Sequence, residues 1–398
     1  MSGSLNRDDI TFGIACDIVY LCACALHGVK PDEQYARQLD LKRLYRMCQF
    51  HSLTAITCMA LEQTGVFLDL DPAVVKAFKD AKAKAIRKNM LLDAEREQIF
   101  EEMEQAGIWH MPLKGSVLQA LYPKYGMRQM SDNDILYDPS GQKWLADIME
   151  RRGYDVEVCG KSNHDVFLKP PIFNFEMHTS LFGQFSGGAW YNYYKNVKER
   201  LLADEGASYR YHFTDEDFYL YMTAHTYKHY SYSGVGLRSL VDAYVFTEAK
   251  GGSMDWGYIG REAAGMGIAD FEERSRLLAK KLFSSPALPQ EAGLTKEEEA
   301  MFSYFAGSGT YGTTKNYVKN RMSESQKGGS RAGFMAKLHF IYRRLFPTME
   351  WYQNYEPFFA KHKVLIPFFL VYRFFRRLFG KKKIWNELRA MREFGKEK

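Results

Sequence analysis

Residues 113–138 read LKGSVLQALYPKYGMRQMSDNDILYD, and the rest of the chain is understood through them. Near the end stand Asp132 and Asp134, inside a run (Ser131, Asn133, Ile135, Leu136, Tyr137) whose pattern predicts a β-strand. Side chains i and i+2 of a strand leave the same face, so two carboxylates are expected side by side. Such neighbours repel unless a cation lies between them. Mg²⁺ is the expected ion, because it is hard, takes oxygen ligands and shares its shell with substrate phosphates; Mn²⁺ is the alternative. Upstream, an apolar run (Ile108, Trp109, Met111, Leu113) leads into Lys114-Gly115-Ser116, which precedes the helical spacing of Val117, Leu118 and Leu121. A Gly-Ser turn opening a helix presents backbone N–H groups to an anion. One short unit thus offers a phosphate cradle and a metal clamp.

A strand, a Gly-Ser turn, a helix and then an arginine shortly before Ser-Asp-x-Asp resembles the polymerase-β type nucleotidyltransferase superfamily. Leu113-Lys114-Gly115, Tyr122-Pro123, Arg128 and Asp132-x-Asp134 resemble, more narrowly, its branch labelled uncharacterised nucleotidyltransferase. The resemblance extends over most of the chain, but only this stretch is specific. One position departs: the residue between the aspartates is usually apolar in that branch and is Asn133 here. If that side chain faces the interior, it needs a hydrogen-bond partner. The branch also carries an acid two residues before a histidine, which Glu176-Met177-His178 matches. The resemblance therefore implies Glu176 as the third metal ligand of a two-metal site. The competing reading of Glu176 is an ordinary solvent-facing strand residue. His178 shares its strand face and is read as ordering a ligand or a phosphate, or as a structural hydrogen-bonding group.

The chain has 398 residues, 46% hydrophobic and 26% charged, which fits a globular protein of two or three domains. No apolar run reaches the ~20 residues of a membrane span, and Asp17 interrupts the closest approach, residues 10–28, so no signal peptide is expected. Cys16, Cys22, Cys24, Cys48, Cys58 and Cys159 form no CxxC pair and read as reduced core residues of a cytosolic protein. Of the net charge of +6, residues 331–398 contribute +11 (16 Lys/Arg against 5 Asp/Glu), leaving −5 for the remainder. The basic character belongs to the C-terminal segment, and no nucleic-acid partner is expected.

The expected fold class is α+β: a small mixed β-sheet nucleotidyltransferase core flanked by helical N-terminal and C-terminal regions. The organisation reads as a helical N-terminal domain (1–90), the catalytic core (91–190), a helical domain (191–306), a flexible loop (307–333) and basic, aromatic C-terminal helices (334–398). Within this frame a long helix is predicted from about Pro72 to Gln105. It is followed by a helix over 140–152 and strands over 153–158, 164–169 and 173–182. His51 reads as a satisfied core or helix-surface histidine. His225 and His229, four apart on one helix, could hold a transition metal. A structural or substrate-lining role is preferred, because a third ligand would have to come from Asp242 or elsewhere. GSGTYG (307–312) lacks the preceding strand and the terminal GK[ST] of a phosphate loop and reads as part of a linker.

The C-terminal segment interleaves Phe368, Phe369, Phe374, Phe375 and Phe379 with Arg373, Arg376, Arg377 and Lys381 to Lys383. It suits either a helix packed on the protein or one lying on an anionic membrane.

The resemblance implies a Mg²⁺-dependent nucleotidyltransferase. Asp132, Asp134 and Glu176 would be the catalytic, metal-holding residues. Lys114, Gly115, Ser116 and Arg128 would hold the NTP. The acceptor would be a hydroxyl on a glycan, a peptide or a small molecule, attacking the α-phosphate with loss of pyrophosphate. A non-catalytic or weakly catalytic relative acting in surface-glycan assembly, and a kinase on the same fold, are the competing readings. The expected location is the cytoplasm, with peripheral contact at the membrane inner face through the C-terminal helices.

Overall fold

The computed structural model describes residues 7–69, 71–160, 162–184, 188–287, 292–324, 341–378 and Glu387. Its organising element is the helix α5, Pro72–Gln105, with the limits the sequence predicts. Asp71 caps it by accepting the Ala73 N–H, Pro72 occupies the first turn, and the chain leaves through Gly107 at φ +71°. Leu92, Ile99, Phe100 and Met103 make one face apolar, and Ile99, Phe100 and Met103 bury it against a five-stranded sheet.

The sheet contains β1 (His110–Pro112), β2 (Asn133–Tyr137), β3 (Asp155–Val158), β4 (His164–Lys169) and β5 (Phe173–His178), in the order β1-β2-β5-β4-β3. Only β2 and β5 run parallel; the other neighbours are antiparallel. The helix α7, Gln142–Arg151, connects β2 to β3. All five residues of β2 are buried, not alternating, because the strand is interior and covered on both faces. Ile135 and Tyr137 meet α5, while Leu136 packs with Met111, Leu113 and Leu118 towards the helical body. The strand starts at Asn133, so Asp132 falls just before it. Asn133 is wholly buried with its polar atoms paired: Nδ2 donates to the Leu92 carbonyl (2.9 Å) and Oδ1 accepts from Arg96 (3.2 Å).

The segments read as separate domains 1–90 and 191–306 share one core. From the N-terminal side come α1 (Arg7–His27), α3 (Leu41–His51) and α4 (Thr54–Leu61), with the short α2 (Glu33–Gln38) between α1 and α3. From the other side come α10 (Arg238–Lys250), α12 (Ala269–Phe283) and α13 (Lys296–Ser308). The helix α1 is apolar on all sides (Cys16, Ile18, Leu21, Cys22, Cys24), which requires neighbours all round. All six cysteines are free thiols, five of them buried. His51 is the satisfied core histidine the sequence suggests: Nδ1 accepts the Leu237 N–H, so Nε2 donates to the Ala306 carbonyl.

Residues 32–61 form three helices, because Asp40 caps a new one and Ser52 turns the chain at φ +55°. Two features differ from the sequence reading. A two-residue ribbon, β6 (Leu202–Ala203) with β7 (Tyr211–His212), falls in a region read as helical. The rest of that region holds α8 (Gly188–Tyr194), α9 (Asp215–Tyr232) and α11 (Trp256–Gly265). The segment 307–333, read as a flexible loop, contains α14, Thr314–Glu324, with Val318 and Met322 fully buried; residues 325–333 lie outside those described. GSGTYG is a structural turn: the Thr310 N–H donates to the Phe50 carbonyl, and Gly309 and Gly312 both take positive φ. Beyond it come α15 (Met349–Tyr355), α16 (Pro357–Lys361) and α17 (Ile366–Leu378). Lys381 to Lys383, Phe379 and the side chains of Phe374, Phe375, Arg376 and Arg377 lie outside the described residues.

A buried ion pair joins sheet domain and helical body. Arg128 Nε and Nη2 donate to Asp242 Oδ1 and Oδ2 at 2.8 and 3.0 Å, and Tyr122 donates to Oδ1 at 2.6 Å. We expect Asp242→Ala to destabilise the fold by about 3–5 kcal/mol, since it strands a buried guanidinium. The double change Arg128→Met with Asp242→Leu should cost clearly less, and urea unfolding measures both.

Candidate active site

The parallel register of β2 and β5 sets Asp134 directly opposite Glu176, and Leu136 opposite His178. Two residues on from Glu176, His178 leaves the same face, and its Nε2 lies 2.9 Å from Asp134 Oδ1 and 3.9 Å from Glu176 Oε2. One ligand atom from each of Asp134, Glu176 and His178 falls within 4.8 Å of the others. The loop before α6 (Gly115–Leu118) closes the site from the β1 side. The Leu113 N–H donates to the Asp134 carbonyl, and the chain then bends at Lys114 with φ +47° and ψ −114°. This bend puts Lys114 Nζ 2.6 Å from Asp134 Oδ1. Non-glycine residues pay for such a conformation, and it is found where a side chain must be held in one place. The site opens to solvent through the Lys114 and Glu176 side chains, 20% and 28% exposed.

Burial and charge act on the cluster in opposite directions. Burial alone would push Asp134 up, but the Lys114 charge and the His178 hydrogen bond hold it well below the usual carboxylate range. Burial likewise opposes the Lys114 ammonium, and Asp134 more than restores it, so it stays charged. Glu176 is pushed up to about 7 by burial and by Asp134, with Lys114 opposing. His178 is pushed down to about 4 by burial, against the pull of Asp134. It is therefore neutral near pH 7, and because Asp134 is ionised, Nε2 carries the proton and donates. Asp132, beside this group, is raised by burial and then by Asp134.

The structure brings Asp134, Glu176 and Lys114 together and adds His178, which the sequence reading ranked below them. Asp132 stands next to the cluster, accepting from Ser131 (3.0 Å), but outside the close group of three. The Ser116 hydroxyl donates back to the Leu113 carbonyl at 2.7 Å. Gly115 is glycine of necessity: a β-carbon there would run into the Arg128 guanidinium and Met130. Arg128 itself is turned to Asp242, away from the carboxylate cluster.

Other cations line the surroundings. The Lys88 ammonium donates to the Ser131 carbonyl (2.7 Å), and Arg238 Nη1 to that of Gln129 (3.1 Å); both lie near enough to feel Asp132. Lys228, on α9, is exposed at the rim, where crowding by the protein and the Lys114 charge push it down and Glu176 and Asp134 support it. A lysine between two histidines at i and i+4 was the available signal for this residue.

His225 and His229 flank Lys228, with Nε2 atoms 3.3 Å apart. Asp242 cannot join them as a third metal ligand, being committed to Arg128 and Tyr122. Lys114 and Lys228 moreover make their surroundings positive and push both imidazoles down after burial. The face suits an anion better than a transition metal.

The residues fit a divalent ion at the carboxylate cluster. The donors are carboxylate oxygens with an adjacent imidazole, and the Lys114 ammonium already stands as a cation against Asp134. Nearby buried polar atoms also lack a partner among the described residues, namely Nδ1 of His164 and His178 and the Tyr221 hydroxyl. A mixed sheet whose parallel pair presents an acidic cluster beside a strained Lys-Gly turn defines an α+β protein with a group of ligand atoms that could hold a metal ion. The chain belongs to a family described as uncharacterised nucleotidyltransferase, whose profile matches residues 37–284, in agreement with the resemblance carried by Lys114 to Asp134. No curated protein and no solved structure matches the chain. Membership makes it a transferase of the nucleotidyl class in general terms. Among the described residues no helix is long and apolar enough to cross a membrane.

The raised Glu176 pKa fixes the sign of a pH effect. Folded Glu176 holds its proton to about pH 7, whereas the unfolded carboxyl has an ordinary value of 4.5. Between these the folded state binds more protons, so metal-free stability falls as pH rises. Relative to Glu176→Gln, the wild type should lose ~1–3 kcal/mol from pH 4.5 to pH 8 in chelator, read by denaturant titration at each pH.

Proposed function

We propose that this protein transfers a nucleoside monophosphate from an NTP to a hydroxyl acceptor. Asp132, Asp134 and Glu176 would hold two divalent ions, Mg²⁺ in the first instance. The observation that carries this is the cross-strand pairing of Asp134 with Glu176, in a chain of the nucleotidyltransferase family. When bound, the ions would supply charge neutralisation for the triphosphate and a lower pKa for the attacking hydroxyl.

The chain's own residues divide the remaining work. His178, neutral and donating to Asp134, fixes the orientation of that carboxylate. Glu176, with its pKa near 7, gives up its proton as the site fills with cation. Of the two cations first expected at the triphosphate, Lys114 stands at the cluster and Arg128 is engaged by Asp242. The phosphate charge is therefore assigned to Lys114 and to Lys228 across the cleft. Gly115 and Ser116 contribute backbone N–H groups, since the Ser116 hydroxyl is spent on Leu113. Arg128 acts through position, holding the Lys114-Gly115 turn against the helical body. The acceptor is a hydroxyl of a glycan, a peptide or a small molecule. Asn133 does not disturb this arrangement, because its hydrogen bonds point towards α5, opposite the catalytic face.

The test is release of pyrophosphate from each of the four NTPs with Mg²⁺ or Mn²⁺, using lysate as the source of acceptor. Asp134→Ala and Glu176→Ala should abolish release. His178→Ala should lower activity by about 10–100-fold through misorientation of Asp134. Lys228→Ala should weaken NTP binding, measured by calorimetry at millimolar Mg²⁺, by roughly tenfold or more through loss of a charge-assisted contact. Undiminished activity in an Asp132→Ala/Asp134→Ala protein would refute the reading. Nucleoside diphosphate in place of pyrophosphate would make the protein a kinase, and absence of any nucleotide binding would make it a binding partner.

A further inference from the structure

The C-terminal helix α17 has apolar side chains on both faces. On the inner face, Phe369 is 8% exposed, with its ring 4.3 Å from that of Phe359 and 5.9 Å from that of Tyr352. Beside it, Arg373 stacks on Trp351 at 4.3 Å. These contacts account for how the helix is anchored. The outer face is different: Phe368 is 73% exposed, Val371 57% and Tyr372 58%. One turn earlier Val364 is 84% exposed. The spacing 364, 368, 371, 372 is that of a single helical stripe. A helix packed on a protein core ordinarily shows water a polar outer face. A continuous apolar stripe of this kind marks a surface that something else covers.

The charge around the stripe identifies the cover. From Pro357 to Lys383 the sequence has eight Lys/Arg and no Asp/Glu, and Lys361 and Lys363 are exposed just ahead of the helix. A second copy of the same surface would bring like charges together. An apolar stripe with exposed Lys361 and Lys363 at its start, in a stretch of sequence whose charged residues are all cations, matches the boundary between acyl chains and acidic headgroups. At 13 residues the helix is about 20 Å long, too short for a hydrocarbon core of about 30 Å.

We propose that α17 and the 3-10 turn Lys363–Leu365 before it dock by their Val364-Phe368-Val371-Tyr372 face on an anionic phospholipid surface, lying in the plane of the interface. Aromatic and aliphatic side chains enter the headgroup boundary while Lys361 and Lys363 meet lipid phosphates. The proposal is independent of the transfer reaction.

Co-sedimentation of the full chain with vesicles tests it, comparing phosphatidylcholine alone with phosphatidylcholine containing phosphatidylglycerol. Binding to the anionic vesicles should be roughly tenfold or more tighter than to the neutral ones, and should weaken as salt is added. Phe368→Ser/Val371→Ser should reduce it by roughly tenfold or more. Both side chains point to solvent, so the melting temperature of the variant should match the wild type. The proposal is overturned if the double variant binds as the wild type does, if neutral and anionic vesicles bind equally, or if neither binds. A dimer that the double variant dissolves, without vesicle binding, would assign the face to a second copy and overturn it equally.

Discussion

Lys114 against Asp134 is the contact on which the site rests. Asp134 lies on an interior strand with Glu176 beside it, and in so dry a setting two ionised carboxylates would repel strongly. The ammonium at 2.6 Å changes that balance, allowing Asp134 to keep its charge while Glu176 takes up the remaining strain by holding a proton. His178 adds a donor without adding charge. The cluster is thus close to neutral by itself, and Glu176 is the member that becomes anionic when a stronger cation competes with its proton. A site of this kind is stable without its ligand and still responsive to it.

The same contact explains why the helical body is built as it is. Lys114 is held by a turn whose next residue, Gly115, lies against Arg128, and Arg128 is held by Asp242 on α10. The N-terminus of α10 is in turn fixed by His51, which links Leu237 to the end of α13. This chain of buried polar contacts runs from the Lys114-Gly115 turn into the core shared by α1, α10, α12 and α13. The family profile covers sheet and helices together, which fits a site whose geometry depends on both. An isolated sheet domain would lose the partner of Arg128 and, with it, the support of the Lys114 turn.

What could be read from the sequence follows from the range of the interactions involved. Helix α5 was legible to its ends because Asp71-Pro72 and Gly107 are local signals, as was β4 because its pattern is short and bounded. Asp132, Asp134 and Glu176 were read as the metal set with Lys114 at the phosphate; the parallel pairing that joins Asp134 to Glu176 spans 42 residues and leaves no periodic trace in the sequence. The burial of all five residues of β2 was not legible in its pattern, because it depends on what covers both faces of the strand. The pairing of Arg128 with Asp242 was not legible, since the two lie 114 positions apart. The helix α14 was hidden by a polar composition whose two buried anchors, Val318 and Met322, are too few to set a period. The β6–β7 ribbon is two residues wide and below what a pattern can show.

The backbone at Lys114 carries the last step. Positive φ with this ψ suits glycine, and a lysine held there gives up on the order of 1–3 kcal/mol. Glycine occupies the next position, where an approaching guanidinium forbids a side chain, so the loop places each residue type where only one requirement is met. A glycine at 114 would relax the turn and remove the ammonium bonded to Asp134. A lysine elsewhere on the loop would keep the charge and lose its aim. Retaining strain at this one residue is consistent with a charge that must sit between a carboxylate cluster and an incoming phosphate, and it links the least comfortable backbone at the site to the chemistry proposed for it.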